Sequence, residues 1–187
     1  MHVWCVDVAT LNQNDSVANI ELLAVNAVSD LIAKCSFLEA NIASNDKTPI
    51  TDGHVDVYGD PKHRNATLLG RVSVQVKGRS TNSKTQTPSF SIDRDTLKFF
   101  RNNGGGVYFY VKVRTNLKSR VVFFVNLNPF RIDRMLNREA NRESFSVAFQ
   151  RLPEDPARIE KIFKLALEQQ SSCSGSGLDC PGGSQLP

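Results

Sequence analysis

The chain has 187 residues, 40% of them apolar, which is enough for one well-packed core and too few for two full-sized ones. Lys and Arg number 23 against 19 Asp and Glu, and the net charge of +4 favours polyanionic partners without requiring them. No apolar run approaches the roughly 20 residues that span a bilayer, and no basic stretch leads into an apolar one at the start, so a soluble, cytoplasmic protein is expected.

The opening Met1 to Thr10 reads as a short apolar strand or a disordered lead. Asp15 or Ser16 can cap a helix, and Val17, Ile20, Ala24, Ala27, Val28, Leu31 and Cys35 recur at three and four, which predicts an amphipathic helix over 16–35. Phe37 to Ala43 is a short apolar strand or extended linker, and the run from Ser44 to Pro49 is turn-rich. Val55 and Val57 then alternate with His54 and Asp56, the polar stretch Gly59 to Asn65 turns the chain, and Leu69 to Lys77 alternates again. The simplest arrangement of these two strands is a β-hairpin.

Gly78 to Pro88 is polar and reads as an exposed loop of a length that is often functional. A short strand at Phe90 to Ile92 precedes a helix over Arg94 to Arg101, which Asn102 to Gly106 stops. Strands follow at Val107 to Val113 and Arg120 to Leu127, joined by a polar turn. Pro129 can start a short helix holding Ile132, Met135 and Leu136. Phe145 to Phe149 alternates as a strand, and Pro156 to Gln169 is a final amphipathic helix.

This order predicts an α/β (α+β) domain over residues 16–172, a central mixed sheet with flanking helices, between a lead (1–15) and a Gly/Ser-rich tail (173–187). Cys5, Cys35, Cys173 and Cys180 show neither a CxxC pair nor zinc-ligand spacing. Free thiols are expected in a reducing cytoplasm, although Cys173 and Cys180 are near enough in sequence for a disulfide.

Strand alternation sends Val72, Val74 and Val76 into the core and puts Ser73, Gln75 and Lys77 on the other face. A hairpin turn centred near Arg64 places Asp52 across from the Gln75 to Lys77 region and Asp56 nearer Val72. A carboxylate, an amide oxygen and an ammonium then converge, a set that suits metal-assisted phosphodiester hydrolysis. The carboxylate and a backbone carbonyl can hold Mg²⁺, Gln75 supplies an oxygen where a second carboxylate is common, and Lys77 stabilises charge on the phosphate. Hairpin arithmetic favours Asp52 as the metal-binding acid, whereas Asp56 lies deeper in the strand with the same parity, and both stay open. His54 between them either contacts a phosphate or is a solvated strand residue.

Asp52-Gly53, followed after the hairpin by Val74-Gln75-Val76-Lys77-Gly78, resembles the PD-(D/E)xK nuclease superfamily in the Gln-x-Lys form of Mrr-like restriction enzymes. More closely, it resembles bacterial domains with a DG…VQVKG signature, regarded as nucleases and associated with defence against foreign DNA. The stretches Phe90 to Phe100 and Gly104 to Phe109 extend this likeness, which covers about residues 16 to 150. The resemblance implies a restriction-endonuclease-like core and an endonuclease acting on DNA with Mg²⁺. It further implies Asp52 or Asp56 as the metal-binding acid, Gln75 as second ligand, Lys77 as catalytic lysine, and Glu21 completing the site through a metal-bound water.

Arg79, Lys84, Arg94, Lys98 and Arg101 are expected around the cleft as phosphate contacts. Tyr108 and Tyr110 either flank a groove or cover the sheet beneath a helix. A second copy, or an additional domain or subunit, is the expected source of double-strand cutting or sequence choice. Gln75 in a carboxylate's place also leaves a second expectation, a nuclease-like module that binds nucleic acid or protein without cutting.

Overall fold

The computed structural model describes residues 8–44, 50–138 and 141–174. No Gly or Pro interrupts Val8–Ile32, and this segment forms one helix, α1, that starts earlier than expected. Asp15 and Ser16 therefore lie within the helix rather than capping it. At the other end the Cys35 amide closes a turn on the Ile32 carbonyl (2.8 Å). Strands β1 (Leu38–Ile42) and β2 (Gly53–Tyr58) come next, and β3 (Leu68–Ser80) runs three residues past Lys77 into the stretch expected to be loop.

After the loop come β4 (Ser89–Asp93), α2 (Arg94–Asn102), β5 (Gly106–Val113), β6 (Arg120–Leu127), α3 (Pro129–Arg138), β7 (Ser144–Ala148), β8 (Gln150–Arg151) and α4 (Pro156–Ser174). Side chains set two of these helix starts. Asp93 accepts the Thr96 amide (2.7 Å) to cap α2, and Asn128 accepts the Arg131 amide (2.8 Å) ahead of Pro129 at the first position of α3.

Among the described residues six strands form a mixed sheet in the order β1-β2-β3-β5-β6-β8, and with four α-helices the fold is α+β. β2 and β3 are the expected antiparallel hairpin, with Gly53 opposite Val74 and Asp56 opposite Arg71. β3 and β5 pair in parallel, Gln75 beside Tyr108, because the chain crosses over through β4 and α2 between them. β4 and β7 form a separate two-stranded ribbon.

Each face of the sheet has its own apolar layer. Val72, Val74, Val76, Phe109 and Phe124 pack against Ala24, Val28 and Ile32 of α1 and Ile159 and Phe163 of α4. On the opposite face Tyr108, Tyr110, Phe123 and Val125 pack beneath Leu97 and Phe100 of α2, Ile132 of α3, and Ile92, Phe145 and Val147 of the ribbon. Each such side chain, fully buried, contributes about 1.5–3 kcal/mol, so both layers are integral to the fold. The second layer covers β5 and β6, and its edge at β3 leaves a cleft.

Val8 to Asp15, expected as part of a strand-like or disordered lead, are helical instead, because nothing in their sequence breaks α1. Met1 to Asp7, Asn45 to Pro49, Glu139, Ala140 and residues 175–187 lie outside the described residues, and with them the rest of the lead, most of the turn before β2, most of the tail, Cys5 and Cys180. Cys35 is a buried free thiol whose pKa rises to about 11, through burial first and then the charges of Glu160 and Asp155. Among the described residues no helix is long and apolar enough to cross a membrane.

Candidate functional site

A cleft of about 420 Å³ opens at the edge of the second layer, and its walls include Glu21, Asp52, Gln75 and Lys77. The residues come from α1, the position just before β2 and the middle of β3. Two glycines make that convergence possible. Gly53 has φ +141°, and a Cβ there would overlap the Asn41 carbonyl oxygen of β1. Gly78 sits under α1, where a Cβ would lie 2.8 Å from the Ile20 carbonyl oxygen and 2.9 Å from the Ala24 methyl. The glycine after Lys77 thus lets the helix carrying Glu21 lie directly on β3, and the glycine after Asp52 lets β2 begin against β1.

Asp52 Oδ2 accepts the Gln75 side-chain amide at 2.7 Å and the Val76 backbone amide at 2.6 Å. Both donors are neutral. Burial raises the Asp52 pKa and Glu21 adds to the rise, against the Val76 amide, the Lys77 charge and the Gln75 amide, which pull the other way. The net direction is upward, because the loss of water around the carboxylate outweighs the bonds and the Lys77 charge that favour its ionised form. Tyr108 forms part of the floor, and its phenol is pushed well above the ordinary value by burial, then by Asp52 and Asp93.

Asp56 has different surroundings. It lies four residues on, inside β2 and with the same parity, yet pairs with Arg71 Nε at 2.9 Å, takes Asn41 Nδ2 at 3.3 Å and lies 3.6 Å from His54 Nε2. It does not line the cleft, so of the two carboxylates Asp52 alone joins Gln75 and Lys77 there. His54 is turned toward Asp56 in the same way.

The expected phosphate-contacting cations separate. Arg79 adjoins the cleft in a smaller hollow shared with Glu21, Lys77 and Gly78. Lys84 does not reach it and lines another cavity with Lys112, Arg114 and Arg151. Arg94 turns toward β7, donating Nε to the Arg142 carbonyl (2.7 Å) with its guanidinium over the Phe145 ring (5.3 Å). Lys98 lies 3.5 Å from Asp95, and Arg101 pairs with Asp133 at 3.0 Å. Tyr110 is buried beneath the second layer.

Sequence reasoning does not reach Asp93, Ser91, Thr96 and Ile50 on the cleft wall. Asp93 carries a legible signal as the residue before a helix. Burial pushes its carboxyl up, but the bonds from the Thr96 amide and hydroxyl, with the Asp93 and Asp95 amides, together hold it below the ordinary value. Ile50 adopts φ +81°, a strained conformation for a β-branched residue, and packs against the second layer.

No family model, curated protein or solved structure matches this chain.

Among the described residues no three His, Cys, Asp or Glu side chains converge as a metal cage. The cleft presents another donor set. The Gln75 and Val76 amides both bond Asp52 through Oδ2 and leave Oδ1, and Gln75, donating through Nε2, keeps Oε1 as an acceptor. With Glu21 on the wall, these are hard oxygens around a carboxylate that burial has stripped of water. That fits Mg²⁺, which binds through one or two carboxylates and retains several waters.

Proposed function

We propose that this protein is a Mg²⁺-dependent endonuclease hydrolysing phosphodiester bonds of DNA, acting in the cytoplasm in defence against foreign DNA. The observation that carries the reading is the cleft that gathers Glu21, Asp52, Gln75 and Lys77 on one face of the sheet. The likeness of Asp52-Gly53 and Val74 to Gly78 to the Gln-x-Lys nucleases supports it. Asp52 and Gln75 would hold the metal, which when bound lends Lewis acidity and lowers the pKa of its water. Lys77 would neutralise charge gathering on the phosphate oxygens, and Glu21 would orient solvent from the helix side.

A second reading, binding without cutting, is favoured by one bond: Gln75 Nε2 donates to Asp52, a contact that a carboxylate at this position would not make. Supercoiled plasmid incubated with purified protein and Mg²⁺ separates the two. The nuclease reading predicts nicking that Lys77→Ala removes. Binding with no cleavage under Mg²⁺ or Mn²⁺ favours the second reading, and cleavage undiminished by Lys77→Ala contradicts the site.

A further inference from the structure

α3 carries Arg131, Arg134 and Arg138, spaced three and four apart so that they share one helical stripe. Together with Arg142 they line a hollow of about 350 Å³, whose other wall is Phe145 to Ala148 of β7. Arg134 and Arg138 are exposed and lack an acidic partner among the described residues. The one acidic side chain on α3, Asp133, is occupied by Arg101. Glu143 is exposed at the approach to β7 and lies outside the hollow. Arg131 is exposed as well, and its guanidinium reaches the Asn126 carbonyl at 3.5 Å, a neutral acceptor that leaves its charge available to an anion in the hollow.

Two further features narrow the ligand. Phe130 is 72% exposed, the most exposed of the large apolar side chains among the described residues, and it stands one helical turn from Arg134. Cations tracking a backbone beside an exposed ring suit phosphates flanked by unpaired bases, which stack on aromatic faces. A lipid surface fits less well, because the arginines ring a concavity and a single Phe offers little apolar area to a bilayer. The second feature is position. Ser146 pairs with Ser91 and Phe145 with Ile92 across the ribbon, and Ser91 and Ile92 line the cleft described above. Cleft and hollow thus lie on either side of one ribbon whose strands are about 4.8 Å apart.

We propose that the α3 hollow is a binding site for single-stranded nucleic acid, with Arg131, Arg134, Arg138 and Arg142 on successive phosphates and Phe130 stacked on a base. The site stands on its own geometry whether or not the cleft cuts, and it places an unpaired strand beside the cleft wall.

Fluorescence anisotropy of a labelled single-stranded oligonucleotide, measured with the full chain in EDTA, tests this without reading cleavage. The double variant Arg134→Ala/Arg138→Ala should weaken binding at least about tenfold and flatten the slope of log K against log salt by about 1.4, the loss of two phosphate contacts. Phe130→Ala should weaken it roughly fivefold or more with the slope unchanged. Lys161→Ala, exposed on α4, should bind like the parent. Thermal melts of the variants verify that they fold. Unchanged binding in the double variant overturns the proposal, as does tighter binding of a blunt duplex than of the single strand. Capture by phosphatidylglycerol vesicles without capture of the oligonucleotide also overturns it. Plasmid nicking that fails while this binding holds would sink the endonuclease reading alone.

Discussion

Asp52 and Asp56 stand on one run of chain with side chains of the same parity, and their surroundings give them opposite characters. Asp56 is met by a guanidinium at 2.9 Å, an amide at 3.3 Å and an imidazole at 3.6 Å. Asp52 is met by two neutral amides at 2.7 and 2.6 Å, and burial outweighs every favourable contact it has. A carboxylate answered by a cation across the strand is a fastening. One held in place by neutral donors, beside a second carboxylate, is placed to receive a cation from solution.

Catalysis separates the two carboxylates most visibly. Asp52→Ala should lower plasmid nicking at least about 100-fold, the scale of losing a group that acts on transition-state charge, while Asp56→Ala should stay within about threefold of the parent. Equal losses in single-turnover assays would erase the distinction. A smaller effect tests how the site is assembled. Gly78→Val forces a branched side chain against the Ile20 carbonyl and Ala24, and urea unfolding should show a loss of about 1–3 kcal/mol. The same variant should lower nicking, since α1 must lift and carry Glu21 with it.

Stability then sharpens the contrast in opposite directions. Asp56→Ala should cost about 1 kcal/mol, a modest figure because Arg71 is 62% exposed and regains water when its partner is removed. Asp52→Asn should instead raise the melting temperature slightly at neutral pH. The raised Asp52 pKa means the folded state holds its proton more tightly than the unfolded chain does, so the contribution is present at acid pH and lost as pH rises through the folded value. The advantage of Asn should therefore vanish below the ordinary Asp range, which melts at pH 3 and pH 7 would show.

Much of this site is legible in the sequence. A hairpin centred near Arg64 follows from the turn residues, and the observed pairs Asp56 with Arg71 and Gly53 with Val74 have that centre. Period-two alternation likewise separates Val72, Val74 and Val76 from Gln75 and Lys77. Both are local patterns. The pairing of β4 with β7 is not legible, because its partners lie far apart in sequence and neither strand encodes the other. The cleft wall at Ser91 and Asp93 escapes a reading of the sequence for that reason, as does the hollow behind the ribbon. β3 outruns its expected end because Arg79 and Ser80 look like loop residues yet pair with Lys112 and Val113. The start of α1 is hidden because Asp15 and Ser16 cap helices often enough to disguise one that runs through them.

Calorimetric titration of Mg²⁺ into the parent protein, Asp52→Asn and Asp56→Asn tests the central claim most directly. Binding in the parent and in Asp56→Asn, with loss in Asp52→Asn, is the predicted result. Binding that survives Asp52→Asn, or that Asp56→Asn removes, would contradict the assignment of the cleft as the metal site.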